Sequence, residues 1–137
     1  MSWTSYNTPV KRTATEDITC YKVFHKTDIT WRVEKTSDLT FEPKIKEIKS
    51  LYKQYKYIPY NINPKIDIIY KWSDIENTWY IDEGYYSYIS LKEAKKCNSH
   101  GAFSIIECII PKGTEYYINE NNEIISSNII VTDKIVK

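Results

Sequence analysis

The stretch Ser104-Ile105-Ile106-Glu107-Cys108-Ile109-Ile110, ended by Pro111-Lys112-Gly113, decides the class of fold. It is a nearly continuous apolar run broken by Glu107 and closed by turn formers, which is how a largely buried β-strand reads. Thr114 to Asn119 restarts a strand, Asn121-Asn122 offers a turn that tolerates positive φ, and Glu123 to Val131 continues with β-branched residues. Residues 104–132 are therefore expected to give three or more consecutive strands of one sheet. Ile106, Cys108 and Ile110 would line its buried face, or Ile105 and Ile109 the other.

Upstream of this stretch, Ser90-Leu91-Lys92-Glu93 has the form of a reciprocal capping box and predicts a short helix from Leu91 to about Cys97. Gly84 punctuates before the strand-like Tyr85-Tyr86-Ser87-Tyr88. Ile66, Ile68 and Tyr70 alternate with Asp67 toward Trp72, and Trp79-Tyr80-Ile81 suggests another strand. Ile18 to His25 reads as a strand, Ile29, Trp31 and Val33 as a second, and Lys26-Thr27-Asp28 as the hairpin link between them. Ile45, Ile48, Leu51 or Tyr52, and Tyr55 recur at helical spacing after Thr40 and Pro43, which predicts a helix over 42–56. Pro59 and Pro64, with Asn61 and Asn63 between them, break regular structure. The expected class is α+β: a small β-rich single domain over 16–137, mostly antiparallel sheet with two short helices, preceded by an N-terminal arm over 1–15.

At 137 residues the chain can bury roughly two-thirds of its unfolded surface without disulfides or metal. It has 22 Ile against 3 Leu and 17 Lys against 2 Arg, the bias of an AT-rich coding sequence. The core should accordingly rest on Ile, with Tyr hydroxyls at its margins. A formal charge of +1 removes the general electrostatic footprint of a duplex-binding protein, so a nucleic-acid partner is not expected. Lys44, Lys46, Lys49, Lys53 and Lys56, interleaved with Tyr52, Tyr55 and Tyr57, are the one local basic run, read as a solvated helix face. No apolar run is long enough for a membrane span, and the start lacks a signal-peptide layout. A soluble protein outside the secretory route is expected. Cys20, Cys97 and Cys108, an odd number at unrelated spacings, fit reduced thiols.

Few residues suggest chemistry. Cys97 and His100 have a C-x-x-H spacing with Cys108 nearby, but structural zinc takes four ligands and His25 would have to complete the set; no metal site is assigned. A Cys–His nucleophilic pair from the same residues would need an orienting third group. Gly84, Gly101 and Gly113 are too widely spaced for a phosphate cradle, and no cofactor is expected. Glu120 and Glu123 flank the Asn121-Asn122 turn and read as solubilising residues. Trp3 and Tyr6 are aromatics in a polar arm, and aromatics so placed pack on the protein's own surface or on a neighbour's, which makes them the candidate partner-binding residues.

Cys20-Tyr21-Lys22-Val23-Phe24, Gly84-Tyr85-Tyr86-Ser87-Tyr88 running into a capped helix with Ala94, Glu107-Cys108-Ile109-Ile110-Pro111-Lys112-Gly113-Thr114-Glu115-Tyr116-Tyr117, and Ser126 to Val131 together resemble small uncharacterised proteins of Bacteroidetes and of their crAss-like tailed phages. The resemblance covers roughly residues 18–136 and implies a phage-encoded protein located in the host cytoplasm or in the virion. The same layout also resembles the split β-sheet domain of ADP-ribosyltransferases. That second likeness implies a serine motif at Ser87, a catalytic glutamate at Glu120 or Glu123, and NAD held by Lys22 or His25. Two functional expectations follow: a non-enzymatic protein-binding accessory module, virion-associated and phage-encoded, and alternatively a degenerate ADP-ribosyltransferase-like enzyme using NAD.

Overall fold

The computed structural model describes residues 3–39, 41–49, 56–97 and 101–136. In chain order its strands are β1 (Trp3–Ser5), β2 (Arg12–Thr13), β3 (Ile18–His25), β4 (Ile29–Lys35), β5 (Phe41–Lys49), β6 (Lys56–Tyr57), β7 (Lys71–Ser73), β8 (Thr78–Ile81) and β9 (Tyr85–Tyr88). The helix α1 (Leu91–Cys97) follows, then β10 (Phe103–Ile110), β11 (Glu115–Ile118), β12 (Glu123–Ser126) and β13 (Ile130–Val136).

The run that opens the argument, β10, lies between β3 and β13 in a seven-stranded antiparallel sheet of order β13-β10-β3-β9-β12-β11-β2. Side chains alternate across it. Ile106, Cys108 and Ile110 share one face with Cys20, Ile124 and Val131, and all of these belong to the larger apolar core. Tyr117 and Ile125 point to the other face and join a second core. All four C-terminal strands belong to this sheet, as the sequence predicts, although β12 stops at Ser126 and Ser127–Ile129 separate it from β13.

That separation bends the sheet. Three strands lie between β12 and β13, so in a flat sheet the two would be about 19 Å apart. The chain from Ser126 to Ile130 reaches at most about 14 Å. The sheet therefore curls, with the larger core on its concave side. Residues 58–70 run along the closing seam: Tyr60 N–H donates to Val131 O, Ile66 N–H to Ser127 O, and the buried Asn63 side chain to Ile129 O. The expected strand over Ile66–Tyr70 is not formed, because this segment bonds to the seam and not to a ladder of its own.

Two three-stranded sheets cover the two faces. The sheet β4-β5-β6 sends Ile29, Ile45, Ile48 and Tyr57 into the concave core, and β1-β8-β7 sends Trp3 and Ile81 into the convex one. The helix α1 packs on β3 and β9, with Ala94 buried; Ala94 N–H bonds to Ser90 O, so Ser90 stands at the N-cap.

Three expectations are corrected here. The strands β3 and β4 do not pair as a hairpin: a 3-10 turn over Lys26–Asp28 sends β4 into a different sheet. The predicted helix over 42–56 is strand β5 as far as Lys49 and strand β6 at Lys56–Tyr57; positions 50–55 lie outside the described residues. Ile45 and Ile48 share a buried face at helical spacing because Lys46 is an extra residue at a β-bulge, where Trp31 pairs with Ile45 and Thr30 with Glu47. One α-helix, not two, is therefore present among the described residues.

The third correction concerns the N-terminal arm. Trp3 is fully buried in β1, which pairs with β8, and its indole N–H donates to Glu123 O at 2.8 Å. Glu120 accepts from the Ser5 hydroxyl and the Tyr6 N–H, and Asn119 donates to Thr4 O. Burial of the indole and these bonds offset the entropy of fixing the segment. Trp3→Ala should lower stability by about 3–5 kcal/mol in denaturant unfolding, and removing residues 1–13 should do at least as much. An unchanged midpoint would show that the first strand is dispensable.

Gly84 bridges the convex core to β9 at φ 151°, and a Cβ there would lie 2.5 Å from Ile125 Cγ1 and 2.8 Å from Ile68 Cγ2. Gly84→Ala is expected to destabilise by roughly 2 kcal/mol or more, read from thermal unfolding, because it adds both backbone strain and overpacking.

Candidate functional site

The most unusual group in the structure is a lysine whose amine is buried in the concave core. Alternation along β3 sends Cys20, Lys22 and Phe24 inward together, opposite Cys108, Ile106 and Ser104 of β10. The Lys22 residue keeps partial exposure along the strand, but its amine is turned into the protein, where it donates to Tyr86 O at 2.7 Å and lies 5.5 Å from the Phe24 ring centre. Burial pushes its pKa below the ordinary 10.5, against a smaller opposing pull from Cys108 and Cys20. No ion pair to Lys22 is formed among the described residues.

Around this amine, Cys20 and Cys108 face each other across β3 and β10, both buried and both free. Burial raises the Cys20 thiol to about 11, although Ser87 and Lys22 pull it down somewhat, and raises Cys108 well above 9.0. Neither is a thiolate near neutrality, so neither is a ready nucleophile. Ser87 is fully buried on the same concave face, close enough to Cys20 to influence it, yet its Oγ has no hydrogen-bond partner of acceptable geometry.

The residues that an ADP-ribosyltransferase likeness would require are not brought together. Ser87 and Lys22 are concave-facing, whereas His25 points to the opposite face of β3, where its ring packs edge-on against Phe103 at 4.4 Å. Glu123 is on the convex face opposite Tyr88. Its pKa is raised by burial. Glu120 sits in the turn before β12, holding Ser5 and Tyr6. Burial would raise its pKa, but the N–H groups of Tyr6 and of Glu120 itself and the Ser5 hydroxyl prevail and lower it. A shallow groove of about 460 Å³ lined by Thr4, Asp74, Glu76, Tyr80 and Asp82 contains none of these residues. The zinc candidates are equally dispersed. Cys97 contacts the Tyr88 hydroxyl on the convex side, Cys108 is concave, and His100 lies outside the described residues.

Of the two expected partner-binding aromatics, Trp3 is consumed by the protein's own core and Tyr6 stays 75 % exposed. The exposed aromatic surface that the sequence did not reveal is the β4–β5 hairpin. Its inward face begins as core at Ile29, Ile45 and Ile48, then continues past the core as Trp31 (47 % exposed), Val33 (59 %), Pro43 and Phe41 (60 %). The tip ends on Leu39, held at φ 64° and exposed. The opposite face carries a charged cluster in which Glu34 pairs with Arg32 and with Lys44. Lys56 lies 4.0 Å from Glu47, so two of the lysines in the basic run have acidic neighbours, and Lys53 lies outside the described residues. A helical reading of 42–56 hid this surface, since the bulge at Lys46 mimics helical spacing.

Fold and site together define a small, mostly antiparallel β domain with a curled central sheet and a projecting apolar hairpin. No family model, curated protein or solved structure matches the chain. Among the described residues no helix is long and apolar enough to cross a membrane.

The buried amine has a pH signature. Its pKa is lower folded than unfolded, so below the folded value it subtracts from stability, and that cost disappears as pH rises toward 10.5. Lys22→Met should therefore melt higher than the parent at pH 7, and the difference should shrink as pH rises through the lowered folded pKa toward 10.5, where the parent no longer carries a charged core amine. A variant less stable than the parent at pH 7 would show that the Tyr86 bond outweighs desolvation.

Proposed function

We propose that this protein is a non-enzymatic protein-binding module, an accessory or virion-associated protein of a phage, which docks on a larger protein surface in the host cytoplasm or in the virion. The observation that carries the reading is the hairpin face that starts in the core and ends bare, with Trp31, Val33, Phe41 and Pro43 in one apolar strip. Contiguous exposed apolar surface rimmed by charge is the mark of an interaction site, and Trp in particular anchors interfaces. The left-handed, exposed Leu39 at the tip adds to it, since strain in a loop is held where function uses it. The phage setting rests on the motif resemblance over residues 18–136. Lys22 and Ser87 are neighbours on the concave face, but Glu120, Glu123 and His25 lie away from them, which does not favour the NAD-dependent alternative.

The test is co-purification from the native source, with the partner identified by mass. The double variant Trp31→Ser/Phe41→Ser should unfold within about 1 kcal/mol of the parent, because both side chains are substantially exposed, and should lose the partner that the parent retains. Retention of the same partner by the double variant would remove the hairpin face as the docking element.

A further inference from the structure

The hairpin also has a backbone edge, which the docking reading does not use. In the sheet β4-β5-β6, β4 bonds to β5 on one side only, and among the described residues no strand pairs with its other side. Open edges are ordinarily blunted by a bulge, a proline or an inward charge. Here both interruptions, the extra Lys46 and Pro43, fall on β5, and β4 runs through seven residues without a break. The one charge of β4 on its apolar face, Lys35, stands at the end of the strand, so the edge from Thr30 to Val33, with exposed side chains, remains a template for another strand.

The sequence of β4 specifies which strand. In an antiparallel pair each residue must face one on the same side of the sheet, so a strand pairing with its own copy centres on a residue. Centred on Arg32 or on Glu34, the pairing sets like charges directly against each other. Centred on Val33, it places Arg32 opposite Glu34 of the copy and Glu34 opposite Arg32 of the copy, while Trp31 meets Lys35 and Val33 meets Val33 on the apolar face. Opposite charges and aromatic–cation contacts at facing positions are the pairs that stabilise sheets.

We propose that the free edge of β4 pairs antiparallel with β4 of a second copy of this chain about Val33, joining two three-stranded sheets into one six-stranded sheet held in register by crossed Arg32–Glu34 pairs. The two-fold axis lies at Val33, and the two apolar hairpin strips come side by side on one face. This goes beyond the docking reading and does not depend on it, since its register is set by the backbone edge and by Arg32 and Glu34 on the charged face, with Trp31 and Val33 only adding contacts.

Sedimentation velocity from micromolar to millimolar concentration tests it, with circular dichroism confirming that each variant is folded. The parent is expected to dimerise. Arg32→Glu and Glu34→Arg each set like charges opposite each other twice and should weaken the dimer roughly tenfold or more. An equimolar mixture of these two single variants restores both cross-strand pairs and should form heterodimers, and the double variant Arg32→Glu/Glu34→Arg should dimerise as the parent does. A folded parent that stays monomeric, single reversals that leave the dimer unchanged, or a mixture that fails to associate would overturn the pairing. A monomeric parent that still captures its partner through Trp31 and Phe41 would refute only the dimer. A charge-swappable dimer whose partner survives Trp31→Ser/Phe41→Ser would refute only the docking face.

Discussion

Much of this structure follows from the shortness of one connection. Ser127–Ile129 must carry the chain from β12 to β13 past three intervening strands, and a flat sheet is too wide for that span. The resulting curl gives the sheet a concave side, gathers Ile124, Ile129 and Val131 with Ile106, Cys108 and Ile110 into one core, and opens the seam along which residues 58–70 are laid. Backbone groups at the seam that no ladder satisfies are met by Tyr60, Asn63 and Ile66, as buried amides and carbonyls must be.

The curled sheet has two faces to cover, and the two coverings differ in kind. The convex side is sealed by a strand from the beginning of the chain, anchored by the Trp3 indole and tied down by Glu120 and Asn119. The concave side is covered by the base of a hairpin longer than the core it serves. Ile29, Ile45 and Ile48 close the core, and the same face then runs on with Trp31, Val33 and Phe41 exposed. The exposed apolar strip and the edge of β4 that no strand pairs among the described residues are both consequences of that overshoot.

The concave core also accepts groups that an apolar interior disfavours. The Lys22 amine is desolvated, with a carbonyl and a ring for company, and the Ser87 hydroxyl, without a hydrogen-bond partner, lies on the same face. The two facing thiols are the soft part of this cluster, small enough to pack at adjacent positions of β3 and β10 and too deeply desolvated to ionise near neutrality. Glu120, Glu123 and His25 do not join this cluster and lie elsewhere on the sheet.

The sequence by itself determined what local pattern can determine. Ile18–His25, Tyr85–Tyr88 and the apolar run to Ile110 have strand periodicity or β-branched density and became β3, β9 and β10, and Ser90 marked the start of α1. Asn122 took the positive φ expected of the turn before β12. Tertiary structure decided the rest, because partners and registers are not local quantities. A one-residue bulge at Lys46 placed Ile45 and Ile48 on one face and gave a strand the spacing of a helix. The 3-10 turn at Lys26–Asp28 parted two strands that adjacency would have paired. Trp3 looked free in a polar segment, and only the indole-sized site beside Tyr117 and Ile125 made it core. The hairpin surface was legible residue by residue, yet which of its faces met the core and which met water depended on where the curled sheet ended.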